Sequence, residues 1–166
     1  RLNLNLREDK GWTYGARSGT GSNYTKGMWT ASTSVKTDTT ADSISEILRE
    51  INEAQSTRPF TADELVASSG YLLGSRPVRY ENAGTLMGEL QGNWLYGLPE
   101  DWITAYADNI RGVTLEGAQA AWNKHVIGDE LSILVVGDKA TILEGLEALK
   151  LPIVNLDSDG NTMESE

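Results

Sequence analysis

"LREDKGWTYG", residues 6–15, is the stretch whose reading decides the fold. Charges at Arg7, Glu8, Asp9 and Lys10 run into Gly11, and Trp12, Thr13, Tyr14 and Gly15 follow. Cations favour the C-terminal end of a helix dipole, and glycine adopts the left-handed cap cheaply, so Gly11 reads as a helix end. The residues before it are two-valued. Leu2, Leu4 and Leu6 alternate as in a strand, while Leu2 and Leu6 also fit an i,i+4 helical stripe. The cap favours the last turns of a helix. A helix-to-strand corner at Gly11 places Arg7 beside Tyr14, and both donate hydrogen bonds at neutral pH, which suits a carbonyl oxygen or a carboxylate. Structural duties fit them too: Arg7 closing its helix, Tyr14 packing in a sheet.

Working outward, "WTYGARSGT" and "GMWTASTSVKT" are rich in aromatic, Thr and Val positions, with turn residues "GSNYTKG" between them, and read as a hairpin. Trp12, Tyr14, Ala16 and Ser18 share one face of the first strand; Trp29, Ala31, Thr33 and Val35 share one face of the second. "TTADSISEILREINEAQS" is an amphipathic helix with Thr40 or Asp42 as cap and Ile44, Ile47, Leu48 and Ile51 as its apolar stripe. "RPFTADELVASSGYLLGS" follows, with Thr61 and Glu64 spaced as a capping box. A third helix is expected from about Arg79 to Tyr96, ended by Gly97, Leu98 and Pro99. Two shorter helices, the second capped by Thr114, precede an apolar strand at 130–136, and "ATILEGLEAL" forms a last helix.

A hairpin, a block of helices and one further strand imply an α+β fold with an antiparallel sheet and helices packed on one face. Three strands make a thin sheet for so many helices, and the chain opens on Arg1 rather than methionine, so upstream strands are expected to be missing. The domain is placed at 1–154. An acidic, polar stretch at 155–166, with Asp157, Asp159, Glu164 and Glu166, is expected to be a flexible tail.

A chain of 166 residues with 39% hydrophobic content suits one packed domain. The net charge of −10 disfavours nucleic acid, whose phosphates call for clustered Lys and Arg. No apolar run approaches the roughly 20 residues of a membrane span. Cysteine is absent, so no disulfide forms. The single histidine, His125, sits at a helix end where the dipole favours it. With one His and no Cys, no H-x-x-E-H or H-E-x-x-H zinc motif can be written. There is no G-x-S-x-G elbow, and "SGTGSNYTKG" has neither the spacing nor the following helix of a phosphate loop. "DSDGNT" begins like a calcium loop but has Thr162 where glycine is required. Glu64, Glu81 and Glu89 are explained by capping and i,i+4 pairing. Trp94, Trp102 and Trp122 are candidates for an interface, with core packing the commoner fate of such side chains.

Four stretches in order, "RLNLNLREDKGWTYGARS", "ASTSVKTDTTADSISEILREI", "FTADELVASSGYLLGSRPVRYENAGTLMGELQGNWLYGLPEDW" and "LSILVVGD", resemble the C-terminal domain of the pitrilysin/insulinase family of zinc metallopeptidases. The resemblance implies one of several related α+β domains that enclose a peptide-sized chamber. Zinc is then bound by an H-x-x-E-H motif outside this chain, in the same polypeptide or a partner subunit, and none is bound here. It also implies that Arg7 and Tyr14 hold the substrate backbone and that this chain is inactive alone. It implies too that a first β–α segment is missing, which leaves a sheet edge for another chain, or for homo-oligomer formation. The alternative within the same family is an inert scaffold domain like the core subunits of respiratory complexes. Family habit and the lack of cysteine lean to a bacterial periplasm or envelope.

Overall fold

The computed structural model describes residues 1–21 and 27–163, and at Asp129 the backbone alone. The centre of the expected hairpin turn, and Glu164 and Glu166 of the expected tail, lie outside the described residues. The chain divides into two compact units: Arg1–Gly21, Trp29–Ile51 and Gly128–Glu166 in one, Ser22–Met28 and Asn52–Ile127 in the other.

The first unit starts with a wide π-type helical turn, Leu4–Asp9, closed by Lys10 N–H donating to the Asn5 carbonyl at 3.1 Å. Gly11 takes the left-handed conformation, φ 62°, that the sequence predicts for it. Trp12 N–H then reaches back to the Leu6 carbonyl at 2.9 Å, and the chain turns into β1, Thr13–Gly21. β1 pairs antiparallel with β2, Met28–Val35. In β2, Trp29, Ala31, Thr33 and Val35 are half-buried and their neighbours exposed, the period-2 pattern of a strand with one covered face.

A short 3-10 turn, Thr37–Thr39, leads into α1, Thr40–Gln55. Thr40 turns its hydroxyl back to the Thr37 carbonyl at 2.8 Å, so the entry is shaped by the preceding turn. The most buried positions are Ser43, Glu50, Ile51 and Ala54, whereas Ile44, Ile47 and Leu48 are half-buried. The buried face of α1 is thus rotated from the expected apolar stripe and takes in a carboxylate. α6, Lys139–Ala148, is capped by the Asp138 side chain. A Cβ on its Gly145 would lie 3.1 Å from that of Ala41, which shows how closely α6 approaches α1. Leu6, Ile51 and Ile142 are the buried apolar side chains of this unit.

The second unit holds α2, Ala62–Arg79; α3, Ala83–Tyr96; α4, Trp102–Arg111; and α5, Leu115–His125. Thr61 and Glu64 form the capping box in full, and Gly97 ends α3 with φ 62°, both as the sequence predicts. The α2–α3 boundary differs from the expected one. Helix continues through Pro77 to Arg79, and Asn82 caps α3 by accepting from Gly84 and Thr85 N–H. An asparagine just before Ala-Gly is the missed signal. The node of this unit is Glu89: one of its oxygens accepts from Arg76 at 2.9 Å and from the Tyr80 hydroxyl at 2.6 Å. The Arg76 guanidinium also stacks 3.6 Å over the Tyr106 ring of α4.

The apolar stretch 130–136 is not a strand. It is unpaired among the described residues, with Leu134 and Val136 exposed. Its composition favours an extended backbone, but a strand exists only where a neighbour completes the hydrogen-bond ladder. The polar segment after α6 carries a folded turn. Asp157 accepts from the backbone of Asp159 and Asn161, Gly160 is left-handed, and Leu156 bridges to Thr162.

Leu6→Ala should lower the free energy of unfolding by roughly 2–5 kcal/mol, since the side chain is fully enclosed. Thr61→Ala should cost about 1 kcal/mol through the lost cap. Chemical denaturation of each variant checks both figures.

Candidate functional site

Arg7 sits on the wide turn, inside the ring closed between Lys10 and Asn5, and its own carbonyl accepts from Gly11 N–H at 3.1 Å. Its side chain is about half exposed, with Nε 3.5 Å from Glu8 Oε1. A pair in that setting is worth little and leaves the guanidinium available. Tyr14, the second residue of β1, is fully exposed and has no hydrogen-bond partner among the described residues. Neither side chain is sealed in the interior, and Arg7 is also the basic residue in the last turn of its helix, the structural duty open to it in the sequence. No hydrogen bond or ring contact joins them; what the fold joins is the elements that carry them.

That joining is done by side chains that sequence reasoning passed over. Asn3 Oδ1 accepts from Ala16 N–H at 3.0 Å, tying the start of the turn to β1. Gly15 N–H is taken by Thr13 Oγ1 at 3.0 Å, and the Thr33 hydroxyl donates to the Gly15 carbonyl at 3.1 Å. The backbone just after Tyr14 is therefore held by hydroxyl and amide groups as well as by strand pairing. Asn5 is buried, and its Nδ2 donates to Glu46 at 2.7 Å and to Glu50 at 2.9 Å, carboxylates one turn apart on α1. Lys10 Nζ lies 3.7 Å from Glu46, and Arg49 donates to the same carboxylate from one turn along α1. The signal for this cluster is the 4-3-4 spacing of Ser43, Ile47, Glu50 and Ala54, which puts a carboxylate on the inner face of α1.

Burial pushes the Glu46 carboxyl up, but the hydrogen bonds from Asn5 and Arg49 and the charges of Arg49 and Lys10 outweigh it, so it titrates below its ordinary value. In the second unit, burial and the hydrogen bond to Glu89 push the Tyr80 hydroxyl up.

The remaining sequence candidates separate cleanly. Glu64 caps α2 and Glu89 pairs with Arg76 and Tyr80, while Glu81 is exposed just beyond α2. Trp94 is exposed, against the core fate common for such side chains; α3 has no buried residue, and none of the described residues covers this position. Trp102 is also partly exposed, and Trp122 packs edge-on against Phe60 at 5.5 Å. His125 lies exposed in the last turn of α5. With that lone imidazole, no cysteine, and no group of three or more metal-ligating side chains among the described residues, this chain's donors do not fit a zinc site.

Fold and site define an α+β domain that displays an arginine and a tyrosine at a braced helix–strand corner. Residues 1–68 match the family model described as the peptidase M16 inactive domain. Among solved structures, the peptidase M16 inactive domain from Pseudomonas fluorescens is similar, with a TM-score of 0.70 over 78% of this chain at 23% identity. At that identity the likeness speaks for the fold, and this chain spans 30% of the length of that one. No curated protein matches the sequence. The likeness to the non-zinc domain of the pitrilysin/insulinase metallopeptidases, read from the sequence, is borne out by the family match and the shared fold. Arg7, Tyr14 and the Asn5–Glu46–Glu50 cluster all fall within the matched residues.

Because the Glu46 carboxyl titrates lower in the folded protein than its ordinary 4.5, its stabilising contribution is complete above that pH. The contribution is lost as pH falls through the depressed folded value. Glu46→Gln should therefore flatten the acid limb of the stability–pH curve and leave its shape above pH 6 unchanged, as measured by urea melts across the range.

Proposed function

We propose that this chain is the non-zinc half of a zinc metalloendopeptidase chamber, where Arg7 and Tyr14 hold the backbone of an extended peptide substrate. The observation that carries this reading is the exposure of both donors on one braced corner, within the stretch that matches the family model. The guanidinium offers a planar fork of N–H donors and the phenol a single O–H; both suit peptide carbonyls. Donors arranged in advance stabilise a carbonyl as it becomes an oxyanion and need no reorganisation when the charge develops. Zinc and the general base belong to a zinc-bearing domain or subunit of the same family, and the chain alone is inactive. The exposed apolar residues of α3 and of segment 131–136 supply surface for that partner, and the open edges of the two-stranded sheet suit β-pairing or self-association. A bacterial periplasm or envelope remains the proposed compartment.

A second reading, an inert scaffold domain, is favoured by one specific observation: α2 and α3 contain no buried residue and expose Val66, Tyr71, Met87 and Trp94. That is the face of an assembly element. Kinetics separate the two. In the assembled enzyme, Arg7→Ala and Tyr14→Phe should each lower kcat/KM by about tenfold or more, as for donors that act in the transition state. Unchanged kcat/KM with assembly intact would leave the scaffold reading standing.

A further inference from the structure

The wide turn that presents Arg7 is moored at both ends to one carboxylate. Asn5 Nδ2 meets Glu46 at 2.7 Å, and Lys10 Nζ meets it at 3.7 Å. The two residues so anchored are the two that close the turn through Lys10 N–H and the Asn5 carbonyl. Arg7 lies between them, outside the contact with α1. Glu50, one helical turn further on, takes the second N–H of Asn5 at 2.9 Å and is itself buried.

This arrangement is expensive as a way to hold a helix end. Asn5 and Glu50 both leave water for this contact, which is unfavourable before any bond is made, and Asn5 Oδ1 is buried with no hydrogen-bond partner among the described residues. Leu6, fully enclosed beside them, already anchors the turn by apolar burial. Apolar contact is non-directional, so it fixes how deep the turn lies and not how it is rotated. Two charge-assisted hydrogen bonds on one amide, at acceptors one helical turn apart, do fix rotation. The turn is also a π-type widening, a rare geometry that adds a residue to the loop and re-aims the side chains it carries.

We infer that Asn5, held by Glu46 and Glu50, is a positioning residue for the substrate grip: it sets the direction in which Arg7 leaves the turn. This rests on the reading of Arg7 as a substrate-binding donor. Asn5 touches no substrate. Its effect passes through the orientation of a guanidinium two residues along the same hydrogen-bonded ring, and small misplacements of such a group are costly in rate.

A double-mutant cycle in the assembled enzyme tests this, with kcat/KM normalised to the folded fraction from circular dichroism. Asn5→Ala should lower kcat/KM by about tenfold in the native background and by less than about twofold in the Arg7→Ala background. A merely structural role would lower stability and leave the normalised kcat/KM unchanged in both backgrounds. Glu46→Ala removes one arm of the clamp and leaves Glu50 in place, so the same cycle with it remains readable if Asn5→Ala does not fold. Equal losses in both backgrounds, or no loss in the native one, would overturn the positioning role while leaving Arg7 in place. No loss for Arg7→Ala alone would instead remove the substrate-grip reading, and this inference with it.

Discussion

The structure of the first unit depends on how a polar helical turn is held against α1. Leu6 supplies the burial and Asn5 two hydrogen bonds to α1, and from that attachment the chain leaves through Gly11 into β1. Remove the attachment and Gly11 alone does not specify the corner, because glycine's freedom allows many exits. The bonds from Trp12 N–H to Leu6 and from Ala16 N–H to Asn3 then keep the strand beside the turn that precedes it. The exposure of Arg7 is a by-product of this construction: a turn anchored on its inner side shows its outer side to solvent.

The second unit is organised by a different interaction. Its four helices bury no residue completely within their own spans, and Arg76 holds three of them through one carboxylate and two aromatic rings. A guanidinium suits this node because its edge donates while its face stacks. Such helices leave apolar side chains such as Val66, Tyr71, Met87 and Trp94 uncovered, in a protein with a net charge of −10. The same holds for the extended stretch after the 3-10 turn Gly128–Glu130, whose apolar side chains stand without a ladder.

Much of this was legible in the sequence because it is encoded locally. Gly11 and Gly97 as left-handed helix ends, the Thr61–Glu64 capping box, the Thr114 cap and the alternation of β2 each depend on residues within a few positions of one another. The exposed Arg7 and Tyr14 were legible as candidates by their spacing. Their braces were not, because Asn5 meets Glu46 and Glu50 across more than forty residues of chain, and the spacing that places Glu50 on the inner face of α1 does not name the partner it meets.

The sequence by itself determined the hairpin and the helices, most of their caps, and the presence of a helix–strand corner bearing an arginine and a tyrosine, since propensity and capping act over one or two turns. Only the tertiary structure decided that α1 buries Glu50 ahead of Ile44, that 131–136 stays unpaired, and that Arg7 and Tyr14 face solvent. Each of those outcomes turns on what lies on the other side of a contact. Burial, strand pairing and side-chain aim are properties of two surfaces meeting, and a linear pattern describes one surface at a time.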